Sequence, residues 1–372
     1  MKKLRHTASV PVPDVLHKDI LSFLPVKTLM RFRCVSKPWS SLINDRDFSK
    51  SHVQRYINGG INTTNEFTLL IPSSLGLYCM DSNSLGNIVK LKPPLQTSPV
   101  DTINIIGSCS GLVCLITSYN FDMVIWNMST NDYHKVRYHD NYVSQCPITF
   151  FGFGYDHESD DYKVVRILDF LPTYPHQTFD VQVYSLRSNT WKEIGSFQMV
   201  RFFMDMVENP VFVSGALHWS AYSKAESGLH SILAFNLVAE NFVEVPRPAF
   251  LVSSQHCITF GVLEGCLSIR VSQLCCPNPT EVEIWVMKDY MVVESWTKLF
   301  SIGVRAPNFV DIPMAPLAYS NCGDKLLFHE YDRLYWYDKR KKIYERVGDQ
   351  TFIQPEMSLR SLVSVSAYRE SN

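Results

Sequence analysis

The sequence predicts a small three-helix head followed by an all-β propeller of about six blades, an α+β chain of more than one domain. Three observations carry that reading. Apolar residues in the first 45 positions recur at helical spacing between prolines. Beyond residue 67 an aromatic pattern returns about every fifty residues. Charge divides at the same place: up to Tyr56 there are 11 basic and 4 acidic residues, and the remaining 24 basic and 32 acidic residues form an acidic body.

The helices come first. Pro13 and Asp14 read as a helix start, and Leu16, Ile20 and Leu24 follow every four residues, with Leu21 beside them, until Pro25. Val26 to Val35 sets Leu29 and Phe32 three apart among Lys27, Arg31 and Arg33, a second amphipathic helix. Ser36 caps a third, with Pro38 in its first turn and Trp39, Leu42 and Ile43 inward; Asn44-Asp45 closes the unit. Such a head carries more large apolar side chains than its own core encloses, so a partner or the body covers the surplus. The pattern alone leaves both open.

In the body, an aromatic is followed by another seven residues later and by Val or Ile three beyond. Trp126-Tyr133-Val136, Tyr184-Trp191-Ile194, Phe235-Phe242-Val245 and Tyr337-Tyr344-Val347 show it. Trp285, Trp296 and Leu299 form a copy with four extra residues, and Tyr78, Leu85 and Ile88 a degenerate one. Each copy reads as a hairpin, preceded in several cases by a glycine opening an apolar strand, as at Gly111, Gly215, Gly265 and Gly323. Three to four strands per period is the arithmetic of propeller blades, with a β-sandwich plus a second β-domain as the alternative. Ser361 to Ser366 reads as a lone strand that completes the blade begun near Phe67 to Ile71 and so locks the ring.

Composition excludes several classes. Among the 372 residues, 46% are hydrophobic and 19% charged, with 20 Pro and 16 Gly dispersed, which suits a folded chain. No apolar run approaches about 18 residues, so no membrane partner is expected. The basic opening Lys2-Lys3-Leu4-Arg5 meets Pro11, Pro13 and Asp14 before any apolar core, so no export is expected either. Ten cysteines without a C-x-x-C pair suit the cytoplasm and/or nucleus. Basic residues of the head alternate with Leu, Phe and Val rather than forming a block, which favours a protein partner over nucleic acid.

Candidate chemistry is sparse. Gly107-Ser108-Cys109-Ser110-Gly111 has the spacing of a nucleophile elbow but opens a strand, so it reads as a turn around a buried thiol. Gly152-Phe153-Gly154-Tyr155-Asp156-His157 lacks the third glycine of a dinucleotide site and reads as strand and turn. His218, beside Trp219, reads as a core histidine, and Asp160-Asp161 and Arg340-Lys341-Lys342 as solvated turns. No catalytic residues, cofactor or metal site are expected, since no His/Cys cluster has zinc spacing.

The stretch Val12-Pro13-Asp14-Val15-Leu16, Ile20 to Leu29, Arg31 to Lys37 and Trp39 to Ile43 resembles the F-box, with Phe48 and His52 at its trailing positions. The resemblance implies docking on the Skp-family adaptor of a cullin-RING ubiquitin ligase through Pro13, Leu16, Ile20, Leu24, Pro25, Leu29 and Val35, with Trp39 and Leu42 as internal core. The body resembles the F-box-associated, kelch-like region of plant F-box proteins at Gly111-Leu112-Val113-Cys114, Phe151 to Asp156, Asp161-Tyr162-Lys163-Val164-Val165, Val183-Tyr184-Ser185 and Ile284 to Met287. That family includes pollen self-incompatibility (S-locus) and immune-regulatory F-box proteins.

The organisation expected is a flexible N-terminus at 1–9, the F-box at 10–52, a linker at 53–66, the kelch-like propeller at 67–368 and a tail at 369–372. The function expected is the substrate-recognition subunit of an SCF-type ligase that joins adaptor, cullin and RING subunits to an unidentified target protein. A non-ligase scaffold and a propeller enzyme are the alternatives. Leu168 to Pro175 and Gln273 to Pro279 are long apolar loops, and Phe170 and Tyr174 are the candidate target-binding residues.

Overall fold

The computed structural model describes residues 14–58, 67–73, 75–81, 88–95, 101–118, 121–137, 148–169, 178–198, 200–202, 209–223, 230–251, 256–273, 281–303, 314–320, 323–330, 333–347 and 355–369. The expected N-terminal segment 1–9 lies outside these, as does 370–372 of the tail.

Four helices form the head: α1 (Asp14–Ser22), α2 (Val26–Phe32), α3 (Lys37–Ile43) and α4 (Arg46–Asn58). The α2 helix starts behind Pro25, whose carbonyl accepts from Leu29 N–H at 3.0 Å, and stops at Phe32, three residues short of the expected Val35. Ser36 caps α3 as expected, its Oγ accepting from Trp39 N–H at 3.3 Å. The fourth helix corrects the reading of Asn44-Asp45 as the end of the unit and of 53–66 as linker throughout. Asp45 Oδ1 accepts from Phe48 N–H at 2.8 Å and so opens α4, which carries residues 53–58 onto the ring; 59–66 lie outside the described residues.

Six sheets follow. The first blade holds β1 (Phe67–Ser73), β2 (Gly76–Asp81) and β3 (Ile88–Lys90). The second holds β4 (Ile103–Cys109), β5 (Leu112–Thr117), β6 (Met123–Asn127) and β7 (Asp132–Val136), and the third β8 (Ile148–Asp156), β9 (Asp161–Asp169), β10 (Thr178–Ser185) and β11 (Thr190–Gln198). In the fourth, β12 (Val200–Phe202) and β13 (Val211–Val213) pair with successive stretches of β14 (Ala216–Ser223), followed by β15 (His230–Asn236) and β16 (Asn241–Val245). The fifth holds β17 (His256–Leu263), β18 (Cys266–Gln273), β19 (Glu281–Met287) and β20 (Trp296–Gly303); the sixth β21 (Met314–Tyr319), β22 (Lys325–Glu330), β23 (Arg333–Asp338) and β24 (Ile343–Arg346). The last strand, β25 (Glu356–Leu359), returns to the first blade and pairs antiparallel with β1, Phe67 opposite Leu359. Innermost strands neighbour one another in a circle from β25 through β4, β8, β13, β17 and β21 back to β25. The ring is closed.

Each aromatic repeat is a cross-strand pair. Trp126 lies opposite Tyr133, Tyr184 opposite Trp191, Phe235 opposite Phe242 and Tyr337 opposite Tyr344. The leading aromatic is buried in every one of these pairs, and the second lies at the outer edge. Spacing of seven leaves a short turn in which the residue five after the leading aromatic is left-handed: Asn131, Asn189, Glu240 and Lys342. Asparagine tolerates that region, and here it does a second task, since Trp126 Nε1 donates to Asn131 Oδ1 at 3.2 Å and Tyr184 OH to Asn189 Oδ1 at 2.8 Å. The same unit recurs in a hairpin not counted as a repeat: Tyr155 lies opposite Tyr162, Asp160 is left-handed, and Tyr155 OH donates to Asp160 Oδ1 at 2.5 Å.

The longer copy differs. A bulge between Ile284 and Trp285 and a turn through Val293–Ser295 put Trp296 opposite Met287 and Trp285 opposite Lys298. In the first blade Tyr78 pairs with Lys90, and Leu85 lies outside the described residues.

The expectation for Ser361 to Ser366 is corrected in register. The closing strand lies upstream at Glu356–Leu359, and the residues after it cross the ring as an irregular strap held by side chains.

Two groups of the ring, the buried His218 and the half-buried Glu356, titrate in opposite senses. Burial pushes His218 down to about 4, so the stability it contributes is present above about pH 6.5 and is lost as pH falls towards 4. Burial pushes Glu356 up to about 7, so its contribution is present below about pH 4.5 and is lost as pH rises through 7. At about 1.4 kcal/mol per pH unit each is worth about 3 kcal/mol. Between pH 4.5 and 6.5 these two contributions therefore run in opposite directions and offset one another. Glu356→Gln should expose the histidine's acid loss, about 3 kcal/mol between pH 6.5 and 4. Circular-dichroism melts of both proteins decide it, and a variant that loses no more stability than its parent between pH 6.5 and 4 refutes the assignment.

Candidate functional site

The head is built around Leu21, Val26, Leu29, Ile43 and Phe48, with Leu24, Trp39 and Leu42 partly buried at its margin. Leu21, rather than the stripe through Ile20, points inward. Of the residues expected to face an adaptor, Ile20 is 56% exposed and Val35 61%, Pro25 is exposed, and Leu24 is half-buried. Pro13 lies outside the described residues; Leu16 lies in α1, its side chain outside them. Leu29 is corrected: at 0% exposure it is the centre of the head and has no surface to offer.

Phe23 was missed. It is 69% exposed, three residues after Ile20 and therefore near it on the helix surface, with the Arg55 guanidinium 3.7 Å above its ring. Phe23 follows the last residue of α1, and its N–H donates to the Ile20 carbonyl at 3.3 Å, so the closing turn keeps the two side by side. Among the described residues, Ile20, Phe23 and Val35 are large apolar side chains of the head that stay mostly exposed.

The other side of the head is anchored. Phe48 and His52, four apart on α4, are buried, and His52 Nε2 donates to the Leu24 carbonyl at 2.9 Å, tying α4 to the end of α1. Val53 joins the core of the second and third blades, with Tyr56 packed against it. Arg46 Nη2 pairs with Asp160 Oδ2 at 2.7 Å, and Lys50 Nζ pairs with the same oxygen. Partial burial alone would raise the Asp160 carboxyl; hydrogen bonds from Lys50 and Tyr155 and the charge of Arg46 overcome it and hold the group below the usual carboxylate range. Arg46 also lies 4.1 Å over the ring of Tyr368, which meets Tyr162 edge-on at 4.9 Å.

The reading of Asp160-Asp161 as a solvated turn is thus corrected for both residues. Asp160 receives the head. Asp161 is buried, accepting from Ser185 Oγ and from Arg187 N–H at 2.9 Å. The following Lys163 is also buried, and its ammonium donates to the Leu237 carbonyl at 2.8 Å and pairs with Asp156 at 2.8 Å and Glu240 at 3.0 Å, joining blade three to blade four. A buried cation with three oxygen partners is compensated; removing any one would leave it short.

The strap completes the anchorage. Asn127, fully buried, donates through Nδ2 to the carbonyls of Ser361 at 3.2 Å and Val363 at 2.6 Å. Asp132 accepts from Ser364 Oγ at 2.7 Å and from Ser366 N–H at 3.0 Å. Leu362 lies in the head core, and its carbonyl accepts from Ser49 Oγ at 3.3 Å.

The polar contacts of α4 and the strap at Asp160, Asn127 and Asp132 lie in the second and third blades, at turns joining first to second or third to fourth strands. Strand β9 leaves the Asp160 turn and runs away from the head for about 26 Å at 3.3 Å per residue, so Asp169 and Thr178 mark the opposite face. Gln273, at the end of β18, marks it too, by the same pleat count from the turn at Gly265. The loops expected to bind a target start there. Phe170, Tyr174 and residues 274–279 themselves lie outside the described residues.

Candidate chemistry reduces to packing. Ser110 and Gly111 form a tight turn between β4 and β5, and burial pushes the Cys109 thiol up to about 12, so it stays protonated at neutral pH. His218 Nδ1 donates to the Val211 carbonyl at 3.1 Å and Nε2 accepts from Tyr290 OH at 2.9 Å, a core histidine with both nitrogens used. Among the described residues no group of three or more His, Cys, Asp or Glu is placed to hold a metal.

Comparison with known proteins agrees with this architecture. Residues 12–51 match the F-box domain, and residues 68–363 match the F-box associated beta propeller domain. F-box protein CPR1 of Arabidopsis thaliana is 32% identical over 358 residues, covering 90% of this chain and 83% of its own length. F-box/kelch-repeat protein At3g23880 of the same plant is 30% identical over 299 residues, covering 78% of this chain and 79% of its own. With a matched head, a matched six-bladed body and relatives aligned across both, the chain belongs to the F-box proteins that carry an F-box-associated β-propeller.

Proposed function

We propose that this chain is the non-catalytic substrate receptor of an SCF-type ubiquitin ligase. The observation that carries it is the uneven covering of the head: the ring and strap seal one side, while Ile20, Phe23 and Val35 stay open on another. Exposed apolar side chains on so small a unit suit a protein partner, and in an F-box that partner is the Skp-family adaptor, which brings cullin and RING subunits. A target held through Phe170 and Tyr174 among others is presented to a ubiquitin-charged enzyme by effective concentration. The same reading places the chain in the cytoplasm and/or nucleus.

Ile20→Asp with Val35→Asp should abolish capture of the adaptor, a loss of more than about 2 kcal/mol at interface anchors. Both residues are exposed, so the melting temperature should hold. Phe170→Ser with Tyr174→Ser should instead spare the adaptor and deplete the target recovered, with proteasome blocked, by mass spectrometry. Undiminished adaptor capture by the first variant removes the assignment; a target retained by a parent chain that captures no adaptor is the scaffold.

A further inference from the structure

Side chains of the strap alternate between two neighbours. Leu362 joins the head core with Leu29 and Phe48, while Val363 and Val365 turn into the core of the ring. Arg360 and Ser361 alone separate Leu362 from Leu359, the last residue of β25. At about 3.3 Å per residue that link spans about 10 Å, so the place of Leu362 in the head is tied closely to the seat of β25 against β1.

We infer that closure of the ring gates the head: the core that shapes the adaptor surface is complete only while Glu356–Leu359 is paired in the first blade. The inference rests on the reading of the head as the adaptor site. A head of this size has little core to spare, and Leu362 is one of the side chains filling it. Opening the seam between β1 and β25 withdraws that side chain, together with the Ser49 bond to its carbonyl, and loosens α2 and α3. A receptor whose ring has come apart is thereby released from the ligase. By linkage, an adaptor seated on the head strengthens the closure of the ring by the same factor.

The test uses the full chain and three substitutions. Asn127→Ala frees the strap from within blade two without touching the head, Leu362→Ala removes the head contact itself, and Val282→Ala makes a cavity in blade five, remote from the strap. Amide hydrogen exchange of α2 and α3 is followed without adaptor, and the Kd for a Skp-family adaptor is measured separately; amides of β9 and β18 report the integrity of the ring. Asn127→Ala and Leu362→Ala should each speed exchange in α2 and α3 at least tenfold and weaken adaptor binding at least tenfold, with Val282→Ala within twofold of the parent in both. Exchange as slow as in the parent for both strap variants overturns the inference, as does equal loosening by Val282→Ala. Should the parent capture no adaptor while exchange responds as expected, the coupling stands and the adaptor reading falls.

Discussion

A chain ended after Pro355 should show no cooperative melting transition and should elute as aggregate. The deletion takes away the innermost strand of the first blade, so β1 loses its pairing from Phe67 to Leu70 and presents an open edge. It also removes Leu359, Leu362, Val363, Val365 and Tyr368, all buried. At roughly 1.5 to 3 kcal/mol for each large buried side chain the loss is roughly 8 to 15 kcal/mol, as large as the whole stability of an ordinary domain. Losses fall on both parts of the molecule, since Leu362 lies in the head and the others in the ring. Thermal melting with size-exclusion chromatography decides it. A truncated chain that melts like its parent would mean that the ring does not depend on its seam.

Gly111→Ala should lower the melting temperature far more than Gly265→Ala, although both glycines occupy the same place in the same kind of turn. Each follows a left-handed residue, Ser110 or Glu264, and has φ of +83° or +76° respectively. The cost of putting a side chain in that region, about 1 to 2 kcal/mol, is common to both. Surroundings differ. A Cβ on Gly265 would meet nothing within 4 Å, whereas on Gly111 it would stand 2.2 Å from Ser361 Oγ and 2.9 Å from the Leu359 carbonyl oxygen. Neither neighbour can yield without moving the strap away from Asn127 or the closing strand away from β1. A further loss of about 3 kcal/mol from overpacking is expected, which makes roughly 3 °C for Gly265→Ala and about 10 °C for Gly111→Ala. Equal shifts in the two variants would show that the strap is not held against this turn.

The limits of what the sequence shows of the head and the turns beneath it have physical causes. Ile20, Pro25 and Val35, which the resemblance assigns to the adaptor face, lie exposed on the head. Leu29 comes to that face by the resemblance alone, and the packing of the head puts it in the core instead. The α4 helix is hard to read although Asp45 caps it and Phe48, His52 and Tyr56 stand four apart, since the polar Arg46, Asp47, Ser49, Lys50 and Ser51 leave only a narrow stripe of large side chains. Asp160 and Asp161 read as solvated because adjacent carboxylates in a turn ordinarily are; their partners, Arg46, Lys50 and Ser185, stand elsewhere in the chain.

The sequence by itself determined the division into head and ring, the helix starts at Pro25 and Ser36, and the hairpin in each aromatic repeat. Those features rest on neighbours within about ten residues, where periodicity, capping and turn chemistry act directly. It also carried the need for a closing strand, because an open sheet edge is costly wherever it lies. Which residues close the ring, that Leu362 crosses into the head, and that Asp160 receives Arg46 and Lys50 were decided only by tertiary structure. Each of those contacts joins residues more than a hundred positions apart, and their pairing follows from the number of blades and the angle at which the last strand meets the first. No local pattern encodes that angle; the twist accumulated around six packed sheets sets it.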